Sequence, residues 1–368
     1  MPATNPTTLR LDKLLEETLS DSSISDIHIS EGQPLWIRRN GQLLASQSPE
    51  VPNDSIVAFL RHKEKETGAS FDAIEKAMAG KGDEDLAFSL RGSRFRANVF
   101  RANDRKLSMI LRRIPDIVPR IEDLGLPPAF LPSVKQAKGL VLVTGATGSG
   151  KSTTLAAVIS HLNETMEGHI ITIEDPVEYV IPSKKCLVHQ RQVRREARDF
   201  MGSLRAAMRQ DPDVILVGEL RDQETVKTAL DAANTGHLVF ATLHTMSARQ
   251  SIERVLSFFP PDGREYINSV LSQVLLCVLS QSLLRRADGK GRALAAELMV
   301  NTAAVRSAIR DSKPAALFNA MDTGTKEGQL LLNRALKDLV TRRVISREEA
   351  MYYSYDAAGL QKELGATR

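Results

Sequence analysis

A chain of 368 residues is longer than one small domain, so its length predicts about two domains. Its apolar fraction of 42% and charged fraction of 26% are those of a folded globular protein and exclude a disordered or fibrous chain. The net charge of +4 is too small to indicate nucleic-acid binding, and the two distant cysteines exclude a disulfide framework or a zinc ribbon.

The polarity of the chain favours a cytoplasmic protein. Residues 1–10 are polar and lack the apolar core that a signal peptide needs. The strongest apolar stretches, such as residues 274–279, are far shorter than the roughly 20 residues that span a bilayer. We therefore expect no direct membrane insertion, and any membrane association must come through partners.

The first elements along the chain predict a mixed α and β domain. Leucines at helical spacing indicate a helix over residues 10–20. Alternating apolar residues before Asn40-Gly41 indicate strands joined by a tight hairpin turn. A second hairpin is predicted from residues 94–100 and 107–114, with its turn at Asn103-Asp104.

A cluster of prolines between residues 115 and 132 discourages any continuous element and marks the domain boundary. This predicts an N-terminal domain over residues 1–115, a Pro-rich linker over 116–135 and a second domain over 136–368.

The second domain has the pattern of a parallel α/β sheet. Short apolar runs alternate there with helical periodicity, at residues 140–144, 170–173, 214–217 and 238–242. After about residue 262 the pattern becomes mostly helical, and residues 293–299 are the strand candidate.

The strongest chemical signal is GATGSGKS at residues 145–152, which follows an apolar strand and precedes a helix. Backbone N–H groups of such a loop and the helix N-terminus can face the phosphates of a nucleotide. Lys151 can reach the β- and γ-phosphates, and Ser152 can ligate Mg²⁺. The motif predicts ATP or GTP binding. The expected nucleotide-binding residues are Gly145, Ala146, Thr147, Gly148, Ser149, Gly150, Lys151, Ser152 and Thr153.

Two further strands are predicted to deliver carboxylates to the ligand-binding edge of the sheet. Glu219 is the Walker B candidate, since a carboxylate there can hold the hydration shell of Mg²⁺. Glu174, Asp175 and Glu178 follow the preceding strand, and one of them is a candidate base or orienter for the water that attacks the γ-phosphate. A charged turn without catalytic function is the alternative for these three acids.

Two histidines lie at opposite ends of the fourth predicted strand. Their separation and the lack of a nearby cysteine or third histidine argue against a metal pair of His237 and His244. His244, at the carboxyl end of the strand, is a candidate sensor that hydrogen-bonds the γ-phosphate.

The segment from residue 91 to 113 is strongly basic, with eight basic residues and one acid. Arg94 and Arg96 share one face of the first strand, and Arg112 lies on the paired strand, so their guanidinium groups are expected to converge. Nucleic-acid binding, a solvated sheet edge and arginine fingers for ATP remain open for them. Only Phe95 and Phe100 are interleaved, which argues against a single-strand stacking platform.

Taken in order, these motifs resemble the PilT/PilU-like type IV pilus retraction ATPases of the secretion ATPase superfamily. The matching segments are SDIHIS from Ser25, RFRANVF from Arg94, GLVLVTGATGSGKSTTLAA from Gly139, HIITIEDPVEYV from His169, RQDPDVILVGELRD from Arg209 and TGHLVFATLHT from Thr235.

The resemblance implies an α/β protein with an N-terminal PAS-like α+β domain, then a RecA-like P-loop ATPase domain with a mostly helical C-terminal part. It implies Glu178 as the catalytic glutamate, Glu219 as the Walker B acid, and His237 and His244 as a histidine box in which His237 contributes to nucleotide binding. It also implies that Arg96 and Arg112 reach the nucleotide.

The implied function is a homohexameric, Mg²⁺-dependent ATPase that drives type IV pilus retraction and twitching motility. The implied partners are an inner-membrane platform protein and a paralogous retraction ATPase, with no nucleic acid, and the implied location is the cytoplasmic side of the inner membrane. The lack of a four-cysteine zinc motif favours retraction over assembly, and AVRSAIRD at residues 304–311 resembles a diverged retraction motif. A related type IV secretion or conjugation motor, a helicase and a non-enzymatic regulatory ring are the alternatives.

Overall fold

The chain divides into two units, Met1–Ile117 and Val118–Arg368. The computed structural model describes residues 11–21, 23–39, 42–67, 83–90, 92–114, 117–193 and 195–365. The predicted hairpin turn at Asn40-Gly41 lies outside the described residues.

The first unit is built on a six-stranded antiparallel sheet in the order β3-β2-β1-β6-β5-β4. Its strands are β1 (Ile24–Ser30), β2 (Trp36–Arg39), β3 (Gln42–Ala45), β4 (Glu84–Leu90), β5 (Ser93–Ala102) and β6 (Lys106–Ile114). The helices α1 (Leu11–Thr18) and α2 (Asn53–Thr67) belong to the same unit. The predicted α+β N-terminal domain is therefore confirmed.

Strict alternation along β5 sets which side chains the first sheet buries. Phe95, Ala97 and Val99 are buried, whereas Arg94 and Arg96 between them lie on the other face. The predicted hairpin of residues 94–100 and 107–114 is confirmed, since β5 and β6 pair in register around a turn at residues 103–105. The turn residues adopt positive φ angles, which Asn and Asp tolerate better than most residues.

The second unit is built on a seven-stranded sheet in the order β13-β12-β7-β11-β10-β8-β9. The strands are β7 (Gly139–Thr144), β8 (Gly168–Glu174), β9 (Cys186–Gln192), β10 (Val214–Val217), β11 (Leu238–Leu243), β12 (Leu275–Arg285) and β13 (Arg292–Val300). Neighbours pair in parallel except β12 and β13. The predicted parallel α/β domain is confirmed.

Helices cover both faces of this sheet, and they begin with α3 (Phe130–Val134), α4 (Lys151–Thr165), α5 (Phe200–Ala207), α6 (Gln223–Asn234), α7 (Ala248–Ser257) and α8 (Arg264–Val274). Leu140 and Leu142 of β7 join one apolar layer, and Val141 and Val143 join the other. Because both faces are covered, β7 is buried along its whole length, as its continuous apolar run predicts.

Two sequence predictions need correction in this unit. β12 is a largely buried strand between β13 and β7, whereas the sequence predicts a mostly helical region after residue 262 with a strand candidate only at residues 293–299. The predicted linker of residues 116–135 is not a separate segment, because Ile121, Phe130 and Val134 are buried in the core of the second unit. A short 3₁₀ helix (Ile121–Leu124) and α3 form between its prolines.

The last part of the chain is helical, as predicted: α9 (Ala303–Arg310), α10 (Pro314–Thr323), α11 (Leu332–Thr341), α12 (Arg347–Tyr353) and α13 (Ala357–Gly365). In α9, Val305, Ala308 and Ile309 are buried, and Arg306 and Arg310 are exposed. Ala304 is exposed as well. Among the described residues, no helix is both long enough and apolar enough to cross a membrane.

Candidate functional site

The phosphate loop connects the carboxyl end of β7 to the first turn of α4. Gly145 has a φ of 140°, and a Cβ atom built there would lie 2.4 Å from the backbone oxygen of Gln281 and 2.6 Å from Ser149 Oγ. Only glycine fits that space and that conformation. Ala146, Thr147 and Gly148 form the exposed tip of the loop, and Gly150, with a φ of 94°, leads into α4.

Lys151 is half-buried at the start of α4 and holds the loop in shape. Its Nζ atom donates hydrogen bonds to the backbone oxygens of Gly145, at 2.7 Å, and Ala146, at 3.1 Å. Burial lowers the pKa of Lys151 below its usual value, although the charges of Glu219 and Glu178 act in the opposite direction. An ammonium has three N–H groups, so one remains to donate to a phosphate.

The three acids at the carboxyl end of β8 differ in their surroundings. Glu174 accepts hydrogen bonds from Thr172 Oγ1 at 2.6 Å and Gln190 Nε2 at 3.2 Å, which fixes it to the sheet. Glu178 is half-buried, its charge acts on Lys151, and its carboxylate makes no hydrogen bond or ion pair within the described part of the chain. Asp175 Oδ2 lies 4.0 Å from Arg221 Nη1, so of the three acids Glu178 is the one that remains available to a water molecule near Lys151.

Glu219 lies just beyond β10 and has two cationic or polar neighbours. Its Oε2 atom accepts a 2.7 Å hydrogen bond from Arg221 Nε, and its Oε1 atom lies 3.4 Å from His244 Nε2. The side chain of Glu219 is 22% exposed, so water reaches it. A side chain at position 218, next to Glu219, would be crowded, because a Cβ atom on Gly218 would lie 3.1 Å from the backbone oxygen of Ile173.

The two predicted histidines lie at opposite ends of β11, the central strand of the second sheet. His244 follows β11 and reaches Glu219 at the edge that carries the phosphate loop. His237 precedes β11, and its Nδ1 atom lies 2.9 Å from the backbone oxygen of Ala232. The expected contribution of His237 to nucleotide binding is therefore not supported within one chain, because the length of the strand separates it from the loop.

Ser152 and Glu219 offer the oxygen ligands that Mg²⁺ prefers. Ser152 is exposed in the first turn of α4, and its hydroxyl makes no hydrogen bond to the described residues. No group of three or more His, Cys, Asp or Glu residues in the described ranges could hold a metal ion. The pair still fits Mg²⁺, which usually keeps several waters and takes few protein ligands beside phosphates. Thr153 Oγ1, in contrast, lies 3.1 Å from the Tyr179 hydroxyl and packs against its own chain.

Arg96 and Arg112 lie in the first unit, directly opposite each other on β5 and β6. Their side chains therefore share one face of the sheet. Arg96 Nη2 lies 3.5 Å from Asp85 Oδ2, and Arg112 Nε donates a 2.7 Å hydrogen bond to Asp26 Oδ1. The two side chains share a face as expected, but each guanidinium pairs with an acid on the strand at its far side, β4 for Arg96 and β1 for Arg112, so the expected convergence of the guanidinium groups is not observed within the sheet.

Two residues of the site were missed by sequence reasoning. Arg221 stands in the GELRD segment, so its position two residues after Glu219 is the signal that could have found it. Arg292 Nη1 donates to the backbone oxygen of Gly148 at 3.3 Å. It lies on β13, the edge strand next to β12, and β12 lies between β13 and β7. No sequence signal shows that this edge strand reaches the phosphate loop.

The parallel sheet, the glycine loop with Lys151 and the acids at the carboxyl ends of β8 and β10 define a RecA-like P-loop ATPase. The type II/IV secretion system protein family matches residues 5–358, and the chain belongs to this family.

Curated relatives and solved structures agree with that assignment. The chain is 44% identical over 331 residues to the type IV pilus retraction ATPase PilT of Pseudomonas aeruginosa. The aligned region covers 89% of this chain and 93% of that one. It is 34% identical to the type IV pilus ATPase PilU of the same organism, over 96% and 91% of the two chains. The crystal structure of a pilus retraction motor PilT with bound ADP superposes with a TM-score of 0.85 at 39% identity, covering 96% of this chain and 99% of that one.

Proposed function

We propose that this chain is a homohexameric ATPase motor that drives the retraction of type IV pili. The observation that carries the proposal is the position of Lys151, which holds the phosphate loop while the charges of Glu178 and Glu219 act on it. Phosphoryl transfer to water needs a cation that binds phosphate, an acid that is free to act on the water and an acid that can hold Mg²⁺. Lys151, Glu178 and Glu219 provide these three groups. The similarity to retraction ATPases over nearly the whole chain supports the pilus as the object of the motor.

In the proposed reaction Glu178 takes a proton from the water that attacks the γ-phosphorus of ATP. The bond from that phosphorus to the β–γ bridging oxygen breaks, and ADP and inorganic phosphate leave. Lys151 donates to the β- and γ-phosphates, and His244 hydrogen-bonds the γ-phosphate while it contacts Glu219. A Mg²⁺ ion at Ser152 and Glu219 would neutralise phosphate charge.

Arg96 and Arg112 complete the proposed site from the first unit of a neighbouring subunit. A P-loop alone leaves the charge of the γ-phosphate poorly compensated, and arginines supplied in trans commonly provide that compensation. This requirement supports an assembly in which each copy meets a neighbour, as in the ring of six that we propose. The proposed location is the cytoplasmic side of the inner membrane, with a pilus platform protein as the membrane partner and a paralogous ATPase as a second motor component in the same cell.

Deletion of the gene, followed by counts of surface pili and of twitching, tests the proposal. A retraction motor predicts that pili accumulate and twitching stops, and that the wild-type chain restores both. Loss of pili would indicate an assembly motor instead, and unchanged pili with a defect in secretion or conjugation would favour the related secretion motor.

A further inference from the structure

Four charged side chains form a row across the sheet of the first unit. Asp26 on β1 pairs in register with Arg38 on β2 and with Arg112 on β6, and Arg112 pairs with Arg96 on β5. Residues directly opposite each other in antiparallel strands project to the same face. Three arginines therefore share a face with a single buried acid.

Asp26 is the anchor of this row. The residue is 5% exposed, and its carboxylate accepts hydrogen bonds from Arg112 Nε at 2.7 Å and from Ser25 Oγ at 2.7 Å. Arg38 Nε lies 3.9 Å away. Burial raises the pKa of Asp26, but the hydrogen bonds and the arginine charges outweigh burial and hold the pKa below its usual value. The buried group is therefore a carboxylate, and its charge is matched mainly by Arg112.

The contact with Asp26 uses only one part of the Arg112 guanidinium. The side chain of Arg112 is 65% exposed, and its two terminal nitrogens make no hydrogen bond to residues in the described ranges. A guanidinium can bind an anion through the edge formed by those two nitrogens even when Nε is occupied. Asp26 thus fixes the plane of the group and leaves its outer edge available.

Arg96 is held differently, although it is the neighbour of Arg112 in the row. Its partner Asp85 is 47% exposed and the distance is 3.5 Å, so the pair is a surface contact of little strength. Long side chains lose rotamer freedom when they bind an anion, and a partner that has already fixed the side chain lowers that cost. Of the two arginines, Arg112 is the preorganised one.

We propose that Asp26 is a positioning residue, which presents the outer edge of Arg112 to a phosphoryl group of the bound nucleotide. This inference rests on the proposed contact of Arg112 with ATP and goes beyond it, because it assigns the geometry of that contact to a buried acid that never touches the nucleotide. Asp26 and Arg112 are 86 residues apart in sequence.

A double-mutant cycle on the purified full-length protein tests this assignment. The kcat and KM for ATP are measured for wild type, Asp26→Asn, Arg112→Ala and the double variant. We expect Asp26→Asn to lower kcat/KM roughly three- to tenfold in wild type, and less than about twofold when Arg112 is already alanine. Asp21→Asn is the matched control, because Asp21 pairs with Arg39 at 2.9 Å outside the row and should leave kcat/KM unchanged.

The outcomes separate the two levels of the proposal. An equal loss for Asp26→Asn in both backgrounds would show a purely structural role and overturn the inference. A loss for Arg112→Ala with none for Asp26→Asn would overturn the inference and leave the arginine contact in place. If Arg112→Ala loses no activity, both the inference on Asp26 and the proposed contact of Arg112 with ATP are overturned. Loss of ATPase activity in Lys151→Ala would still support the assignment as an ATPase.

A second variant covers the case in which Asp26→Asn fails to fold, which thermal unfolding detects. Asp26→Glu keeps the charge but displaces the carboxylate by one methylene group. Run through the same cycle, it supports the inference if its loss in kcat/KM depends on Arg112, and it overturns the inference if the loss is the same without Arg112.

Discussion

Arg221 donates a 2.7 Å hydrogen bond from Nε to Oε2 of Glu219, the carboxylate that the proposed site assigns to magnesium. The same arginine lies 4.0 Å from Asp175 and stacks on the ring of Phe200 at 5.6 Å. The side chain of Arg221 is 54% exposed, so the pair is worth at most about 1 kcal/mol. In the proposed site, Arg221 would therefore compete with a metal ion for this carboxylate.

From this competition we expect Arg221→Gln to lower the Mg²⁺ concentration at half-maximal ATPase activity, by up to about fivefold. A Mg²⁺ titration at fixed ATP concentration measures the effect. The matched control is Arg205→Gln, which breaks the nearby exposed pair of Arg205 with Glu224, at 2.8 Å, and should not change the titration. A higher Mg²⁺ requirement in Arg221→Gln would mean that the arginine positions Glu219 rather than competing for it.

Lys151 and Glu178 should fail in different ways, because one binds phosphate and the other acts on water. We expect Lys151→Ala to weaken nucleotide binding at least tenfold. Glu178→Gln should keep the affinity for nucleotide within about threefold and lower kcat at least a hundredfold. Fluorescent-nucleotide titration and phosphate release measure the two quantities. A similar loss of binding in both variants would remove Glu178 from its assigned role.

Arginines that act across a subunit interface predict rescue in mixed rings. Arg112→Ala subunits retain an intact Glu178, and Glu178→Gln subunits retain an intact Arg112, so some interfaces in a mixture contain both functional groups. We expect mixtures of the two impaired variants to show more ATPase activity at intermediate ratios than either variant alone. If no mixture exceeds the activity of its components, Arg112 acts within its own subunit or does not contact ATP.

The exposed face of α9 should affect coupling rather than hydrolysis. Arg306 and Arg310 are exposed, and Arg310 Nε lies 3.1 Å from Asp311, so neither arginine supports the core. We expect Arg306→Glu with Arg310→Glu to keep ATPase turnover within about twofold of wild type and to stop pilus retraction. ATPase assays and twitching zones measure the two properties.

The control for α9 is a charge reversal of equal size elsewhere on the surface. Arg342 and Arg347 are also exposed, and reversing both should leave twitching intact. If ATPase turnover of the α9 variant falls together with its twitching, or if its twitching survives, α9 is not a coupling element.

The phosphate-binding half of the site could be predicted because its determinants are contiguous in sequence. The loop, its strand and its helix follow one another, and parallel topology brings the ends of β8 and β10 to the same edge. β12 was missed for a physical reason: α8 ends at Val274 and β12 begins at Leu275, with no glycine or proline between them. When an apolar run continues directly from a helix into a buried strand, the periodicity of the sequence does not show where the helix ends and the strand begins.

The contacts that tune the site could not be predicted from the sequence. The pairing of Asp26 with Arg112 depends on the register of β1 against β6, and that of Arg292 with Gly148 depends on the position of β13. Register and strand order are set by packing over long sequence separations, which a local pattern does not record.

The central claim, that ATP hydrolysis by this chain pulls pili back, is tested most directly by imaging labelled pili on living cells. The strain carries Glu178→Gln in place of the wild-type chain and has no other retraction ATPase. We predict that pili extend normally and that retraction events disappear, while wild-type cells retract. Retraction at wild-type frequency in the Glu178→Gln strain would contradict the account.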